Sequence, residues 1–246
     1  MALQVMKEGA KYVAIVREAA SHYESLWGYN GYEKTLHMDL KTFIRTWNHT
    51  EQRFHLNLVS NAFGIKSDRD GFETNEMYAH LTSLNKDFDL VMITERFDES
   101  LVLLKHLLCW TTEDVAYVKA NIRKDARKTN LSESEKEQLR RMNRLDVLLY
   151  NFFKGVFVEK VKAFGEERMK TEVQELQQAS ARLINDCGAE LVSAKARVKE
   201  WRVKNDSNIC AMISMNGVTI QNRLKERQRL WASSNWTFDL KTWTFK

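Results

Sequence analysis

The chain has 246 residues, of which 43% are hydrophobic and 29% are charged, so it is able to build a packed core and disorder is not expected. Its net charge of +5 is spread along the sequence, which is compatible with an anionic ligand but does not indicate a nucleic-acid-binding protein. Three cysteines, Cys109, Cys187 and Cys210, are too few for a disulfide-rich scaffold, and no pair of them has metal-ligand spacing.

The first predicted element is a strand at residues 11–17, where a continuous apolar run ends in an arginine. Such a run is typical of a parallel strand that is covered on both faces. A helix is predicted at residues 18–27, directly after this strand. Helices with weaker periodicity are predicted at residues 39–48, 51–62 and 76–86.

The second predicted strand lies at residues 88–94, with the sequence FDLVMIT. It leads through a short loop to Asp98, which has the side chain of a good helix N-cap. An apolar stripe at helical spacing follows, formed by Leu101, Leu104, Leu107 and Leu108. Residues 88–110 therefore predict a strand, loop and helix, which is half of a βαβ unit. Residues 114–121 suggest a third strand or an extended segment.

The C-terminal half is predicted to be mainly helical. Ser132 and Glu135 form a capping box at the start of a helix, which is expected to be interrupted near Gly155. Basic residues on this helix alternate with apolar ones, which predicts a solvated face: Arg140, Arg141 and Arg144. A long amphipathic helix is predicted at residues 166–204, followed by a tryptophan-rich tail that either packs on the domain or forms a partner surface.

The cysteines and the glycosylation sequons bear on the cellular compartment. One disulfide with a free thiol and three free thiols are both compatible with the sequence. Asn-X-Ser/Thr tripeptides begin at Asn48, Asn130, Asn205 and Asn235, and they favour a secretory lumen slightly. No signal peptide, transmembrane run or lipidation motif is visible in the sequence.

Arg17 and Ser25 are the candidate anion-binding residues that can be identified from their spacing in the sequence. In open parallel sheets ligands bind at the carboxyl ends of the strands, and an arginine there offers a planar fork of donors to a phosphate. Residues 17, 21 and 25 are four apart, so along a helix they share one face. The alternative is an arginine paired with a nearby carboxylate and a serine bonded to its own backbone. Spacing alone favours that alternative.

The sequence resembles a known family in these same segments. Residues 12–29, YVAIVREAASHYESLWGY, resemble the 3′-phosphate-binding element of sulfotransferases, and residues 88–110 are similar to the galactose 3-O-sulfotransferase family. Three further segments agree with that family in order, at residues 60–68, 115–123 and 131–161. The resemblance extends over residues 11–175.

The resemblance implies an α/β protein with part of the P-loop-type sulfotransferase fold, in which helices flank a parallel sheet. Residues 1–165 would form the C-terminal portion of the sulfotransferase domain, and residues 166–246 a helical extension with the tryptophan-rich tail. It also implies a PAPS-dependent enzyme of the Golgi lumen, where PAPS is 3′-phosphoadenosine 5′-phosphosulfate. Such enzymes transfer a sulfonate from PAPS to the 3-hydroxyl of galactose on glycolipid or glycoprotein glycans, without a metal.

The same resemblance assigns residues to the cofactor. Arg17 and Ser25 match the positions that hold the 3′-phosphate of PAPS. Lys119, Asn121 and Arg123 match a family segment whose basic residues face either cofactor phosphate or solvent.

The chain departs from the family pattern in two ways. Ala19 stands in the region where the family has a proline. The family's 5′-phosphosulfate loop, the histidine region expected to supply the base and the membrane anchor are not found, so no catalytic residue is assigned and little transfer activity is expected from this chain alone.

Glu95 stays a candidate for acceptor contact, while Asp98 and Glu99 are explained by an acidic first helical turn.

Two other functions remain open from the sequence. A degenerate, non-catalytic family member would act as a binding or assembly module through the long helix and the tryptophan-rich tail. A basic helical nucleic-acid-binding protein rests on charge alone.

Overall fold

The computed structural model describes residues 9–47, 55–65, 74–119, 122, 128–192, 199–205, 207–215, 217–233, 238–239 and 244–245. Its centre is a parallel pair of strands, β1 (Val13–Val16) and β2 (Leu90–Ile93). The register pairs Val13 with Leu90 and Val16 with Ile93, so both strands end at the same edge. Helices pack against this pair, which confirms the predicted α/β fold with a parallel sheet flanked by helices.

The two strands differ in burial. All four residues of β2 are buried, as expected for a central strand. The prediction that the first strand is covered on both faces is wrong, because Val13 is 36% exposed and Ile15 is 50% exposed. Side chains alternate between the faces of a strand, and the described residues cover the face of Val16 only.

Five helices of the described chain lie between the strands in sequence. They are α1 (Ala19–Asn30), α2 (Tyr32–Leu36), α3 (Leu40–Thr46), α4 (Leu58–Ala62) and α5 (Thr74–Asp87). Aromatic side chains of the first three helices form a core cluster in which the ring centroids of Trp27 and Phe43 are 4.9 Å apart. This cluster fixes α1 and therefore the backbone that follows β1.

The segment after β2 continues as a single 3-10 turn, Thr94–Arg96, and then as α6 (Phe97–Leu108). The prediction of Asp98 as the N-cap is wrong, since the helix begins at Phe97 with Arg96 at the N-cap position. Asp98 lies in the first turn, where its side chain accepts a hydrogen bond from Gln177 at 2.8 Å. The buried Ser100 hydroxyl exchanges hydrogen bonds with the backbone of Ile93, which ties α6 to β2.

No third strand is found at the described residues between positions 114 and 121. This part of the chain begins in α7 (Thr112–Val115). A capping box between Thr111 and Asp114 caps the N-terminus of this helix. After this helix, Ala116 has an extended backbone and residues 116–119 belong to no helix or strand. Asn121 and Arg123 lie outside the described residues.

Three long helices follow: α8 (Glu133–Met142), α9 (Arg144–Phe164) and α10 (Glu166–Asp186). The predicted capping box is confirmed, because the Ser132 hydroxyl accepts from the Glu135 N–H while the Glu135 carboxylate accepts from the Ser132 N–H. The predicted interruption near Gly155 is wrong. A Cβ built on Gly155 would meet no neighbouring atom, and α9 runs through it without a break.

The predicted helix at residues 166–204 is also wrong in its second half. α10 ends at Asp186, and Gly188 adopts a left-handed conformation with φ of 54°, which ends helices readily. An antiparallel hairpin follows, formed by β3 (Glu190–Val192) and β4 (Glu200–Arg202). A disulfide joins Cys187 to Cys210, and Cys109 is a free, exposed thiol.

The remaining elements are α11 (Asn208–Ile213), α12 (Gly217–Ser233) and a short antiparallel pair, β5 (Phe238–Asp239) and β6 (Thr244–Phe245). Contacts divide the chain into a first unit, Met1–Ala116 with Asp125–Ala179, and a second unit, Tyr117–Lys124 with Ser180–Lys246. The expected division of the sulfotransferase domain at residue 165 stays a prediction. Within the described ranges, no helix combines the length and the apolar character needed to cross a bilayer.

Candidate functional site

The candidate site lies in the first unit, at the carboxyl edge of the strand pair. The parallel register brings Arg17, which follows β1, next to the 3-10 turn that follows β2. The Thr94 hydroxyl donates to the Val16 carbonyl at 3.0 Å and joins the two strand ends. This is the edge at which open parallel sheets bind ligands.

Arg17 is half-buried and its side chain runs along the start of α1. Its Nε donates to the Ser21 hydroxyl at 3.1 Å, and that hydroxyl donates to the Glu18 carbonyl at 3.0 Å. No bond to either terminal amino group of Arg17 is found within the described parts of the chain. The guanidinium therefore has one anchored nitrogen and two further groups with which to bind an anion.

Ser25 lies one helical turn beyond Ser21 on α1 and is half-buried. The bond between Arg17 and Ser21 shows that the arginine side chain follows the face on which Ser25 also lies, because residues four apart share a face. The structure thus brings Arg17 to Ser21 directly, with Ser25 next along the same face.

Glu18 caps the N-terminus of α1. Its carboxylate accepts from the N–H groups of Ala20 at 3.1 Å and Ser21 at 2.9 Å. It also accepts from Arg140 Nε at 2.9 Å. Burial alone would raise the pKa of Glu18, but these hydrogen bonds outweigh it and hold the pKa below its ordinary value. The helix N-terminus is therefore already bonded to a carboxylate of the chain itself.

Glu95 is fixed by two hydrogen bonds to its carboxylate. One oxygen accepts from the Glu18 N–H at 3.0 Å, and the other accepts from the Tyr150 hydroxyl at 3.2 Å. Burial and the Glu95 charge raise the pKa of Tyr150 to about 12, so the phenol stays protonated as a donor. Glu95 thus connects the 3-10 turn to α9 and to Glu18, the residue at the start of α1. These two contacts explain the position of Glu95 without any role in binding the acceptor substrate.

His22 is the titratable residue of α1 closest in sequence to this network, and it is influenced by Arg17 and Asp146. Burial lowers the pKa of His22, the Asp146 charge opposes that effect, and the Arg17 charge adds to it. The imidazole is therefore neutral at neutral pH. A lowered pKa alone does not make His22 a catalytic base. We therefore assign it no role, in agreement with the sequence analysis, which assigns no catalytic residue.

Lys119 belongs to the second unit, where its side chain is exposed and its backbone carbonyl accepts from Trp201 Nε1 at 2.8 Å. Its proposed part in the cofactor site stays untested.

Sequence reasoning missed the partners that organise this site. Arg140 was expected on a solvated face together with Arg141. Arg141 does have a 70% exposed side chain, but Arg140 is bound to Glu18, 122 positions away in sequence. Tyr150 was not singled out either. Neither contact has a local sequence signal, because both depend on the packing of α8 and α9 against the sheet edge.

Comparison with known proteins identifies the family. The galactose-3-O-sulfotransferase family profile matches residues 2–207. Galactosylceramide sulfotransferase of Mus musculus is 35% identical over 206 residues, which cover 78% of this chain and 48% of that protein. The Homo sapiens protein of the same name is 43% identical over 123 residues, covering 49% of this chain and 29% of that protein.

A second branch of the family is also similar. Galactose-3-O-sulfotransferase 3 of Mus musculus is 31% identical over 197 residues, covering 75% of this chain and 46% of that protein. The chain thus spans about half the length of the curated relatives it matches. No solved structure shows a significant match to it. With the profile matched over most of its length, the chain belongs to the galactose-3-O-sulfotransferase family.

Proposed function

We propose that this chain contributes the 3′-phosphate end of the donor site in a PAPS-dependent sulfotransferase that acts on the 3-hydroxyl of galactose. In that reaction the acceptor hydroxyl gives up its proton to a base and forms the new oxygen–sulfur bond, while the bond between sulfur and the bridging phosphate oxygen of PAPS breaks and adenosine 3′,5′-bisphosphate leaves. The acceptor would be a galactose-terminated glycolipid or glycoprotein glycan. The family membership supports the reaction class, and the arrangement of Arg17 supports the role of this segment.

The observation that carries the proposal is the position and bonding of Arg17. It lies at the carboxyl edge of a parallel strand pair, its Nε is held by Ser21, and its terminal amino groups point to no partner in the described ranges. A guanidinium held at one nitrogen loses little conformational entropy when its other donors bind a phosphate. Ser25 would add a hydroxyl donor from the same face of α1.

The residues present fit a phosphate that is bound by side chains. The N–H groups of Ala20 and Ser21 are bonded to Glu18, so they are not available to an anion as they are at many helix N-termini. Arg17 and Ser25 would therefore supply the contacts, with Ser21 orienting Arg17. A side-chain clamp of this kind recognises a phosphate without requiring a glycine-rich loop at this position.

A lumenal location is also part of the proposal. The disulfide between Cys187 and Cys210 supports it, because disulfides persist in oxidising compartments and are rare in reducing ones. Asn130, the first residue of one sequon, is exposed and so accessible for modification. In a family of membrane-associated Golgi enzymes, as the sequence resemblance implies, this chain would face the Golgi lumen.

The test is a calorimetric titration with two nucleotides that differ only at the 3′ position, adenosine 3′,5′-bisphosphate and adenosine 5′-monophosphate. The wild-type chain should prefer the bisphosphate. Arg17→Ala should lose about tenfold in bisphosphate affinity, with little change toward the monophosphate, since a charge-assisted phosphate bond contributes about 1.5 kcal/mol or more.

Ser25→Ala should lose less, about fivefold, because a neutral hydroxyl is removed. The matched control is Arg141→Ala, which removes an exposed arginine from α8. Equal preference for the bisphosphate in wild type and Arg17→Ala would overturn the assignment. A transfer assay with PAPS and galactose-terminated acceptors, on this chain and on longer versions, tests the reaction itself.

A further inference from the structure

A cavity of about 530 Å³ opens in the first unit between the 3-10 turn, α6, α9 and α10. It begins at Arg96, which follows Glu95 at the carboxyl edge of the strands. Glu95 in turn accepts the Glu18 N–H, and Glu18 follows Arg17. The cavity lining thus starts one residue from Glu95, whose carboxylate is bonded to the residue that follows Arg17.

The inner wall of the cavity is aliphatic. Val161 and Met169 are buried, and Val158 and Val173 are half-buried beside them. They come from facing sides of α9 and α10. A surface of this kind contacts the C–H face of a sugar ring or an alkyl chain, and it offers no partner to a phosphate.

The rim is polar and carries both signs of charge. Arg96 and Glu99 form an ion pair through two guanidinium nitrogens, and Arg96 also lies over the Phe157 ring with its central carbon 5.2 Å from the centroid. This double anchoring fixes the Arg96 head group before any ligand binds. On α10, Lys170 and Gln174 are four residues apart and share one face of the helix.

This combination favours a neutral polyhydroxyl ligand over a nucleotide. Sugar hydroxyls donate and accept at once, so a carboxylate, a guanidinium and an amide on one rim are able to satisfy several of them. Arg96 pairs with Glu99, and Lys162 pairs with Glu159. Lys170 and Glu166 lie four residues apart on α10, so the charges of the lining are nearly balanced and leave no excess of positive charge to favour a nucleotide phosphate. The aliphatic wall adds a place for an apolar aglycone.

We infer that this cavity binds the acceptor galactoside, with the sugar at the Arg96 rim and an apolar aglycone along the valine and methionine wall. The inference rests on the proposed function, since it names the acceptor site of that reaction. It places donor and acceptor on adjoining parts of one sheet edge, with Glu95 fixed between them.

Binding of octyl β-galactoside and methyl β-galactoside, each below its micellar range, tests the inference by saturation-transfer NMR and calorimetry. The octyl compound should bind more tightly than the methyl compound. Val173→Trp, which fills the cavity, should weaken octyl galactoside binding by at least about tenfold, and Gln174→Ala by about fivefold. Glu175→Ala, at an exposed neighbour on α10 that does not line the cavity, is the matched control and should bind as the wild type does.

Adenosine 3′,5′-bisphosphate binding is measured in parallel and should be unchanged in all three variants. Octyl galactoside binding that is unchanged in Val173→Trp, or that is absent in the wild type, overturns the inference. If bisphosphate binding persists in that case, the proposed nucleotide site stands without this acceptor site. Equal affinity for the octyl and methyl compounds overturns the assignment of the aliphatic wall to the aglycone.

Discussion

The Glu18 carboxylate accepts a hydrogen bond from Arg140 Nε at 2.9 Å while it caps α1 through the N–H groups of Ala20 and Ser21. A negative charge is thereby held one residue from Arg17, and Arg140 neutralises it. The pair connects α8 to the start of α1. We expect it to set the electrostatic environment of the phosphate clamp as well as to stabilise the fold.

A double-mutant cycle with Glu18→Gln and Arg140→Gln separates these two roles. Arg140→Gln should weaken adenosine 3′,5′-bisphosphate binding severalfold, because the uncompensated Glu18 carboxylate then repels the phosphate. The double variant should recover most of the lost affinity. Each single change should lower the free energy of unfolding by about 1 kcal/mol, since both side chains are partly exposed.

Calorimetric titration and chemical denaturation measure the two effects on the same samples. Arg141→Gln serves as the control and should change neither, because its side chain is 70% exposed. If the double variant binds as weakly as Arg140→Gln, the charge-balance explanation is wrong and Arg140 contacts the phosphate itself.

Glu172 joins α10 to α6 and should make stability depend on acid pH. Its carboxylate accepts from Lys105 at 2.7 Å, His106 at 2.6 Å and Arg168 at 3.0 Å. Burial alone would raise the pKa of Glu172, but these bonds outweigh it and lower the pKa to about 2. The stabilisation is complete above the unfolded-state pKa of about 4.3 and is lost as the pH falls toward 2.

Glu172→Gln should flatten the fall in stability between pH 5 and 2 and should cost about 3 kcal/mol at neutral pH, because the buried Lys105 loses its carboxylate. Urea denaturation across that pH range measures both. Glu167→Gln, at an exposed position on the same helix, should leave the pH profile unchanged. A wild-type profile in the Glu172 variant would show that other carboxylates cause the acid sensitivity.

Asp146 caps a helix other than its own. From α9 its carboxylate accepts from the Ser60 hydroxyl at 2.7 Å, the Ser60 N–H at 2.8 Å and the Val59 N–H at 3.3 Å, all at the start of α4. Asp146→Ala leaves three donors without an acceptor and should cost about 3 kcal/mol, whereas Ser60→Ala removes one bond and should cost about 1 kcal/mol. Denaturation midpoints give the order, and a larger loss in Ser60→Ala would contradict it.

Burial also raises the pKa of Asp146, and the bonds from Ser60 and Val59 only partly offset that effect. A carboxyl group with a raised folded-state pKa binds protons more tightly in the folded protein, so its contribution to stability declines as the pH rises through the interval between the two pKa values. This sign is opposite to that of Glu172. The two residues are therefore distinguishable in pH profiles of their variants.

Local patterns predicted the elements that hold the site. β1, α1 and β2 were read from apolar runs and helical spacing, and the Ser132–Glu135 capping box was read from two residues three apart. Each of these signals lies within a few neighbouring residues. The spacing of Arg17 and Ser25 is also a local signal, since it depends only on the geometry of one helix.

Contacts between distant segments could not be predicted. Asp146 and Ser60 are 86 positions apart, and each has many possible partners in the sequence. The end of α10 at Asp186 was missed because the hydrophobic spacing continues into β4, while the turn at Gly188 and the disulfide decide the backbone. Exposure of Val13 and Ile15 depends on which elements cover the sheet, and apolar composition does not report that.

The disulfide gives a final prediction for the second unit. Cys187 and Cys210 are both buried, and the bond closes a loop that contains the β3–β4 hairpin. A closed loop of this length restricts the unfolded chain and should stabilise the folded unit by about 3 kcal/mol. Paired Cys187→Ser and Cys210→Ser substitutions should therefore increase amide hydrogen exchange in the hairpin.

Cys109→Ser is the control, because Cys109 is exposed and free in the first unit. It should leave exchange in the hairpin unchanged and should remove the one thiol that reacts with a thiol reagent before reduction. After reduction and denaturation the wild-type chain should react at all three cysteines. Three reactive thiols in the unreduced protein from an oxidising compartment would contradict the bond, and with it the support that the bond gives to a lumenal location.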